Sequence, residues 1–533
     1  MIKRILFIMM DQLRWDYLSC YGHPSLQTPN LDALAARGVR FSRAYTQGTS
    51  CGNSRASIYT GRYPRSHGAT WNDIPFELNQ WTLADYLAPL GVQTTLLGKT
   101  HMRADLNGLQ RLGIDPESEL GRHLAATGFE NGERDDGLHP SGPDGRYNPV
   151  EPRYNHYLRE KGFGGGNPWL DWANSAEGEN GEVLNGFFMR HANRPARIPA
   201  EFSESAYMTD RAIDFIEQAG DSRWCLHLSY IKPHWPYIAP APYHNRYGPE
   251  DVLAARRSPG QDQDDHPVYR AFAQMRWGQV WRREGARETV IPAYMGLVRQ
   301  LDDEIGRLIG HLRAKGMLDE TLIAITADHG DYLGDHWLGE KDLFHDQSSK
   351  VPLIIVDPRP GADGTRGAVE DRLVGTIDLL PTFIEAFGGQ PPAHRLEGAS
   401  LMPLLEAQST PGWRETIFSE CDYVRMPVRR LLERGFGDAR LTMAFDGRYK
   451  FVHCLGFPPM LFDLQEDPDE FRDLGRDPGR RAVIDEMKDR MLDWSAGLRN
   501  RTAMTDETMA ATIGRSYRRG ILIGAWDEAD APG

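Results

Sequence analysis

Cys51 stands in the run Thr49-Ser50-Cys51-Gly52-Asn53-Ser54-Arg55, where the pattern opens a helix that continues to Thr60 and stops at Gly61. A thiol at a helix start faces free N–H donors and the positive end of the helix dipole. With Arg55 one turn further on, the Cys51 thiol is expected to be acidic and reactive. The other cysteines, Cys20, Cys225, Cys421 and Cys454, have no comparable setting. Elsewhere, four short apolar runs end in groups that bind cations or carry protons. Residues 5–10 lead into Asp11-Gln12, and residues 322–326 into Ala327-Asp328-His329-Gly330. Residues 94–97 lead into Gly98-Lys99-Thr100-His101, and residues 225–230 into Ile231-Lys232-Pro233-His234. Asp11, Gln12, Asp328 and His329 offer oxygen ligands and one imidazole, a set suited to Ca²⁺, Mg²⁺ or Mn²⁺. Zinc is disfavoured because no His or Cys cluster has its usual spacing. Lys99, His101, His234 and Lys341 add cationic or protonatable groups that, with a metal, would hold a tetrahedral oxyanion. A single Asp after a strand is more often a turn residue. It is the joint occurrence that points to one shared anion site.

Such a site needs a scaffold that brings strand ends together. An open parallel sheet does so, because its ligands bind beyond the carboxyl ends of the strands. Apolar runs alternate with amphipathic helical patterns through residues 1–390, which predicts a catalytic α/β domain with a largely parallel sheet. Residues 353–356 read as a further strand. Thr28-Pro29 opens a helix that Gly38 closes, with Leu31, Leu34 and Ala35 on one face. Further helices are predicted over residues 206–219 and 292–315. Residues 106–199 and 253–287 lose the pattern and read as long excursions that shape a pocket rim. Residues 391–413, rich in Pro and Gly, read as a linker. Residues 414–500 read as a small α+β subdomain, with strands at 415–421, 441–445, 449–454 and 460–463 and a helix at 481–498. The tail, 501–533, is expected to be an arm that packs on another subunit, in a homodimer or homotetramer.

Composition narrows the function classes. The 533 residues carry 61 Lys+Arg against 75 Asp+Glu, a formal charge of −14. Such a surface repels polyanions and argues against nucleic acid as a partner. No stretch approaches the roughly 18 apolar residues of a membrane span. The apolar run at residues 5–10 is too short for a signal peptide core, so a cytoplasmic protein is expected. Five scattered cysteines without a CxxC pair make a disulfide framework or structural zinc site improbable.

The ordered set of motifs resembles the type I sulfatases of the alkaline phosphatase superfamily, over nearly the whole chain. It comprises Asp11-Gln12, Thr28-Pro29-Asn30-Leu31-Asp32, and the Cys51 to Arg55 block leading into Thr60-Gly61-Arg62-Tyr63-Pro64. Gly98-Lys99-Thr100-His101, Lys232-Pro233-His234 and Asp328-His329-Gly330-Asp331-Tyr332-Leu333-Gly334-Asp335-His336 follow, with Lys341 beyond. Tyr449-Lys450, Leu461-Phe462-Asp463-Leu464 and Asp467-Pro468-Asp469-Glu470 echo the family ending. The resemblance implies an alkaline-phosphatase-like fold and hydrolysis of a small anionic sulfate ester. It also implies oxidation of Cys51 to formylglycine by a transiently bound formylglycine-generating enzyme. The hydrated aldehyde would attack sulfur with one hydroxyl and release sulfate through the second. Metal binding would fall to Asp11, Asp328, His329 and the modified Cys51, with Gln12 as a further ligand, and the ion would be Ca²⁺ or Mn²⁺ ahead of Mg²⁺. His234, with Lys341, would protonate the leaving oxygen. His101 would take the proton that triggers collapse. Lys99, Lys341 and Asn72 would contact the sulfonyl group, and Arg55 would orient the nucleophile.

One position departs from the family. The usual motif has Pro or Ala two residues after the cysteine, and here Asn53 stands there. Conversion of Cys51 is still expected, because every partner residue is present. Phosphonate monoester hydrolases and phosphodiesterases share the nucleophile and metal, but tend to carry Tyr-x-Thr where this chain has Lys99-Thr100-His101. Sulfate ester hydrolysis is therefore the first reading and phosphonate or phosphodiester turnover the second. An unconverted, non-catalytic anion-binding protein is the third.

Overall fold

The strand ends of interest lie at the middle of one large sheet, in a computed structural model that describes residues 2–75, 77–137, 151–261, 266–341 and 343–530. Residues 138–150 and 262–265, inside the two expected excursions, and 531–533 of the tail lie outside the described residues. The strands are β1 (Arg4–Asp11), β2 (Val39–Phe41), β3 (Gln93–Gly98), β4 (Glu130–Arg134), β5 (Trp224–Pro233), β6 (Thr321–Thr326), β7 (Leu353–Val356) and β8 (Val369–Glu370). They form an eight-stranded sheet in the order β8-β2-β7-β6-β1-β5-β3-β4. β7 runs antiparallel to both neighbours, and the other pairings are parallel. Every residue of β1, β5 and β6 is buried. Successive side chains point to opposite faces, so both faces are covered there, as near-continuous apolar runs require.

The order β6-β1-β5-β3 sets four functional strand ends side by side. Gly98 closes β3 at φ +101°, and a Cβ there would meet the Ser229 carbonyl oxygen at 2.0 Å. Only glycine lets β3 lie that close to β5 as the chain turns toward Lys99. β4 was not legible in the sequence. Glu130-Asn131-Gly132-Glu133-Arg134 has no apolar residue, and it joins the sheet through backbone pairing with β3.

The helices follow their sequence signals closely. α1 (Pro29–Arg37) buries Leu31, Leu34 and Ala35. α2 (Cys51–Thr60) is buried along its whole length and ends at Gly61 in the left-handed conformation. α3 (Glu204–Ala219) begins at Ser203, whose side chain accepts from the Ala206 N–H. α4 (Ala286–Ala314) starts six residues before the expected Pro292, which lies inside it. Burial of Arg287, Val290 and Ile291 holds this first turn and outweighs the N–H lost at the proline.

The C-terminal part forms an antiparallel sheet in chain order, β9 (Ile417–Asp422), β10 (Arg440–Phe445), β11 (Tyr449–Cys454) and β12 (Met460–Asp463). α5 (Arg481–Gly497) packs Ile484 and Met487 onto Phe418, Phe451 and Leu461. The stretch 391–413, expected as a linker, is instead packed. Leu396, Leu401, Met402, Leu404 and Leu405 lie in the main core, the last three within a short helix, Met402–Leu405. The tail leaves Ile513, Ile523 and Trp526 exposed at 73%, 75% and 93%. Among the described residues, no helix is long and apolar enough to cross a membrane.

Gly98→Ala is expected to lower stability by about 2 kcal/mol or more, since both the positive φ and the Ser229 carbonyl oppose a Cβ. Urea unfolding followed by circular dichroism reads the loss, and an unchanged midpoint would contradict the close approach.

Candidate active site and metal centre

Asp11 ends β1, Cys51 opens α2, and Asp328 and His329 follow β6. One ligand atom from each of these four lies within 4.8 Å of every other, and all four residues are buried. The Cys51 Sγ is 3.1 Å from His329 Nε2 and 4.0 Å from Asp11 Oδ1. His329 Nδ1 is 2.9 Å from the Gly330 carbonyl, which takes its proton and leaves Nε2 as the donor atom. Two carboxylates, one imidazole and a sulfur fit a divalent cation of hard to intermediate character.

Arg55 makes this arrangement possible. Its Nε donates to Asp328 Oδ2 at 2.9 Å and its Nη2 to Asp11 Oδ2 at 3.0 Å. Its Nη1 donates to the Lys99 carbonyl at 2.6 Å and to Ser229 Oγ at 2.7 Å. One side chain on α2 thus ties together β1, β3, β5 and the loop after β6. Ser54, beside it, donates to the Asp328 carbonyl at 2.6 Å. Asp328 Oδ1 accepts from the N–H groups of Gln12 and His329, both at 3.1 Å. Burial and the Cys51 thiolate push the Asp11 carboxyl up, but Lys99, His234 and Arg55 outweigh them and hold it well below the usual carboxylate range.

The cations surround the sulfur. Lys99 Nζ is 2.6 Å from Asp11 Oδ2 and donates to Cys51 Sγ at 3.8 Å. Lys341 Nζ donates to Gln12 Oε1 at 3.0 Å and lies 3.1 Å from Glu340 Oε2. Burial opposes ionisation of the Cys51 thiol, yet Lys341, Lys99 and His329 bring it well below its ordinary value, and His101 adds a hydrogen bond. The acid thiol expected from the sequence is present, but its cause differs. Lysines from other elements supply the charge, while Arg55 is committed to the carboxylates. His234 Nε2 lies 4.0 Å from Asp11 Oδ1, and its Nδ1 is 2.8 Å from the Trp235 carbonyl. Burial and the two lysines lower His234 to about 4, against the pull of Asp11.

The remaining expected residues are also close by. Gln12, at φ 64°, turns its amide oxygen to Lys341 and its Nε2 to Asp331 and Tyr237. Asn72 accepts from the Gly52 N–H at 2.7 Å, at the first turn of α2. Asn53 has a local task. Its Oδ1 accepts from the Ser50 N–H and hydroxyl, both at 2.9 Å, and its Nδ2 donates to the Thr70 carbonyl at 3.0 Å. Neither Pro nor Ala could make these bonds, so the departure at position 53 has a structural reason. Sequence reasoning missed Ser229 and the Asp331–Tyr237 pair behind Gln12. A serine within the apolar run at residues 225–230 was the available signal for the first.

A family model described as Sulfatase matches residues 3–389. A second, described as N-sulphoglucosamine sulphohydrolase, C-terminal, matches residues 334–497. The chain is 30% identical to the multifunctional alkaline phosphatase superfamily protein PehA of Trinickia caryophylli, covering 94% of this chain and 96% of that one. It is 26% identical to an arylsulfatase of Clostridium perfringens, covering 92% and 93%. Among solved structures, the phosphonate monoester hydrolase SpPMH from Silicibacter pomeroyi superposes with a TM-score of 0.81 at 27% identity, covering 95% of this chain and 98% of that one.

Replacing Arg55 by Met leaves two buried carboxylates facing each other without their shared counter-charge. The expected loss of stability is about 3–5 kcal/mol, read by chemical denaturation of the metal-free protein. A loss below about 1 kcal/mol would show that the bridge is dispensable.

Proposed function

The chain belongs to the sulfatase family, and from that premise we propose that it hydrolyses small sulfate monoesters with the oxidised side chain of residue 51 as nucleophile. The observation that carries this reading is the convergence of Asp11, Cys51, Asp328 and His329 within 4.8 Å, ringed by lysines. A divalent cation held by these residues would supply positive charge where negative charge builds in the transition state. The oxygen-rich set favours Ca²⁺ or Mn²⁺. Oxidation of Cys51 to formylglycine would replace the thiol by a hydrated aldehyde with the attacking hydroxyl.

The chain's own groups then have separate tasks. Lys99 and Lys341 bind the sulfonyl oxygens, and Asn72 at the first turn of α2 limits how the ester seats. Gln12 is a further ligand once its amide oxygen leaves Lys341. His234 is held down by burial first and by the same lysines second. An anionic ester between them cancels that charge, so His234 gains a proton with the substrate and delivers it to the leaving oxygen. His101, in hydrogen-bond reach of residue 51, takes the proton that frees sulfate. Arg55 orients the nucleophile indirectly, through the carboxylates.

Phosphonate monoester or phosphodiester turnover is the second reading, favoured by the likeness to the phosphonate monoester hydrolase. Lys99 and His101 beside the sulfur favour sulfate, and relative rates on an aryl sulfate and an aryl phosphonate decide the order. The third reading, an anion-binding protein with unconverted Cys51, predicts a Cys51 peptide at thiol mass. A brief contact with a formylglycine-generating enzyme is part of the main reading. The exposed apolar tail supports a homodimer or homotetramer. Five free cysteines support a reducing compartment, the cytoplasm.

Cys51→Ala is expected to lower turnover of an aryl sulfate by a factor on the order of 10³ or more. Chelation should abolish wild-type turnover, and Mn²⁺ or Ca²⁺ should restore it. Retained activity in either experiment would overturn the mechanism. His234→Ala should cost about 10²–10⁴-fold for poor alcohol leaving groups and much less for 4-nitrophenol, which needs no proton. Equal losses on both substrates would remove His234 from the acid role.

A further inference from the structure

β4 carries a device aimed at the loop that bears Lys99 and His101. Asp136, two residues past the end of β4, accepts the backbone N–H groups of both Thr100 and His101 on its Oδ1, each at 2.9 Å. Its Oδ2 takes Arg134 Nε at 2.9 Å and Nη2 at 2.6 Å. The same Arg134 Nη2 donates to the Met102 carbonyl at 2.6 Å. One ion pair therefore grips three consecutive residues, Thr100, His101 and Met102. The pair is nearly out of solvent, at 7% side-chain exposure for each partner. Burial opposes it, but Arg134 and His101 outweigh burial and hold the Asp136 carboxyl down at about 2.

The grip has something to resist. His101 sits at φ 54°, a left-handed conformation that a residue with a Cβ adopts only when its surroundings impose it. On the near side the loop is fixed by the Lys99 N–H to the Ser229 carbonyl at 3.1 Å and by Arg55 on the Lys99 carbonyl. On the far side Asp136 and Arg134 hold the backbone, beside the buried Met102 side chain and the Arg103–Asp73 ion pair at 3.3 Å. Loss of the pair would remove the bonds to the Thr100 and His101 N–H groups and to the Met102 carbonyl.

We propose that Asp136, locked by Arg134, is a positioning residue that holds the His101 imidazole against residue 51. The proposal rests on the functional reading above for what His101 does there. The test compares full-length wild type, Asp136→Ala and Asp136→Asn. Asparagine keeps an acceptor for the two amides and loses the ion pair. For Asp136→Ala, kcat on 4-nitrophenyl sulfate should fall about 10- to 100-fold, with KM changed by less than about threefold. Asp136→Asn should lose less than the alanine variant. Amide hydrogen exchange over residues 99–102 should rise in the alanine variant, while β1 and β5 keep their protection. A loop whose exchange is unchanged, or a freed loop with wild-type kcat, would overturn the proposal. If wild type itself turns over no sulfate ester, the functional reading fails, and the exchange comparison still decides whether Asp136 holds the loop.

Discussion

Two buried carboxylates, Asp11 and Asp328, are held side by side, and everything at this site follows from that constraint. Their ligand oxygens lie within 4.8 Å of each other, where two like charges repel by about 3.5 kcal/mol or more at an effective dielectric of about 20. Arg55 resolves the conflict by placing one guanidinium against both, on Oδ2 of Asp11 and Oδ2 of Asp328. Asp11 Oδ1 is left facing the Cys51 sulfur, while Asp328 Oδ2, which Arg55 also holds, lies 3.6 Å from His329 Nε2. A cation there would meet carboxylates already oriented, so little reorganisation would accompany its binding. The arginine also fixes α2 to the sheet, which puts residue 51 in register with both acids.

The surrounding charge is balanced by position rather than by number. Lys99 and Lys341 draw the Cys51 thiol below its ordinary value, and burial together with these lysines lowers His234. Each lysine has an acidic partner, Asp11 for Lys99 and Glu340 for Lys341. These partners keep both lysines charged, which leaves the site complementary to an anion. The sheet order is what allows it, since strand ends far apart in sequence become neighbours only in the order β6-β1-β5-β3.

Much of this was legible from residue types alone. Buried parallel strands are short apolar runs, and each announced its polar end group, as Asp11 after residues 5–10 and Asp328-His329 after residues 322–326. The helix opening at Cys51 was marked by Ser50 and closed by Gly61. What stayed hidden depends on backbone pairing or on distant partners. β4 carries no apolar signal because its edge position and backbone bonds define it. The source of the acidic thiol could not be read locally, since Lys341 is 290 positions away in the chain. The packed stretch 391–413 misled because Pro and Gly mark turns but do not tell whether intervening leucines are buried.

The account stands on one cation sharing its ligands with the side chain of residue 51. Anomalous diffraction from crystals of the full chain grown with Mn²⁺ tests that directly. The account predicts a single strong peak in contact with Asp11, Asp328, His329 and residue 51 together. A peak elsewhere, or one that leaves residue 51 out of contact, would contradict it.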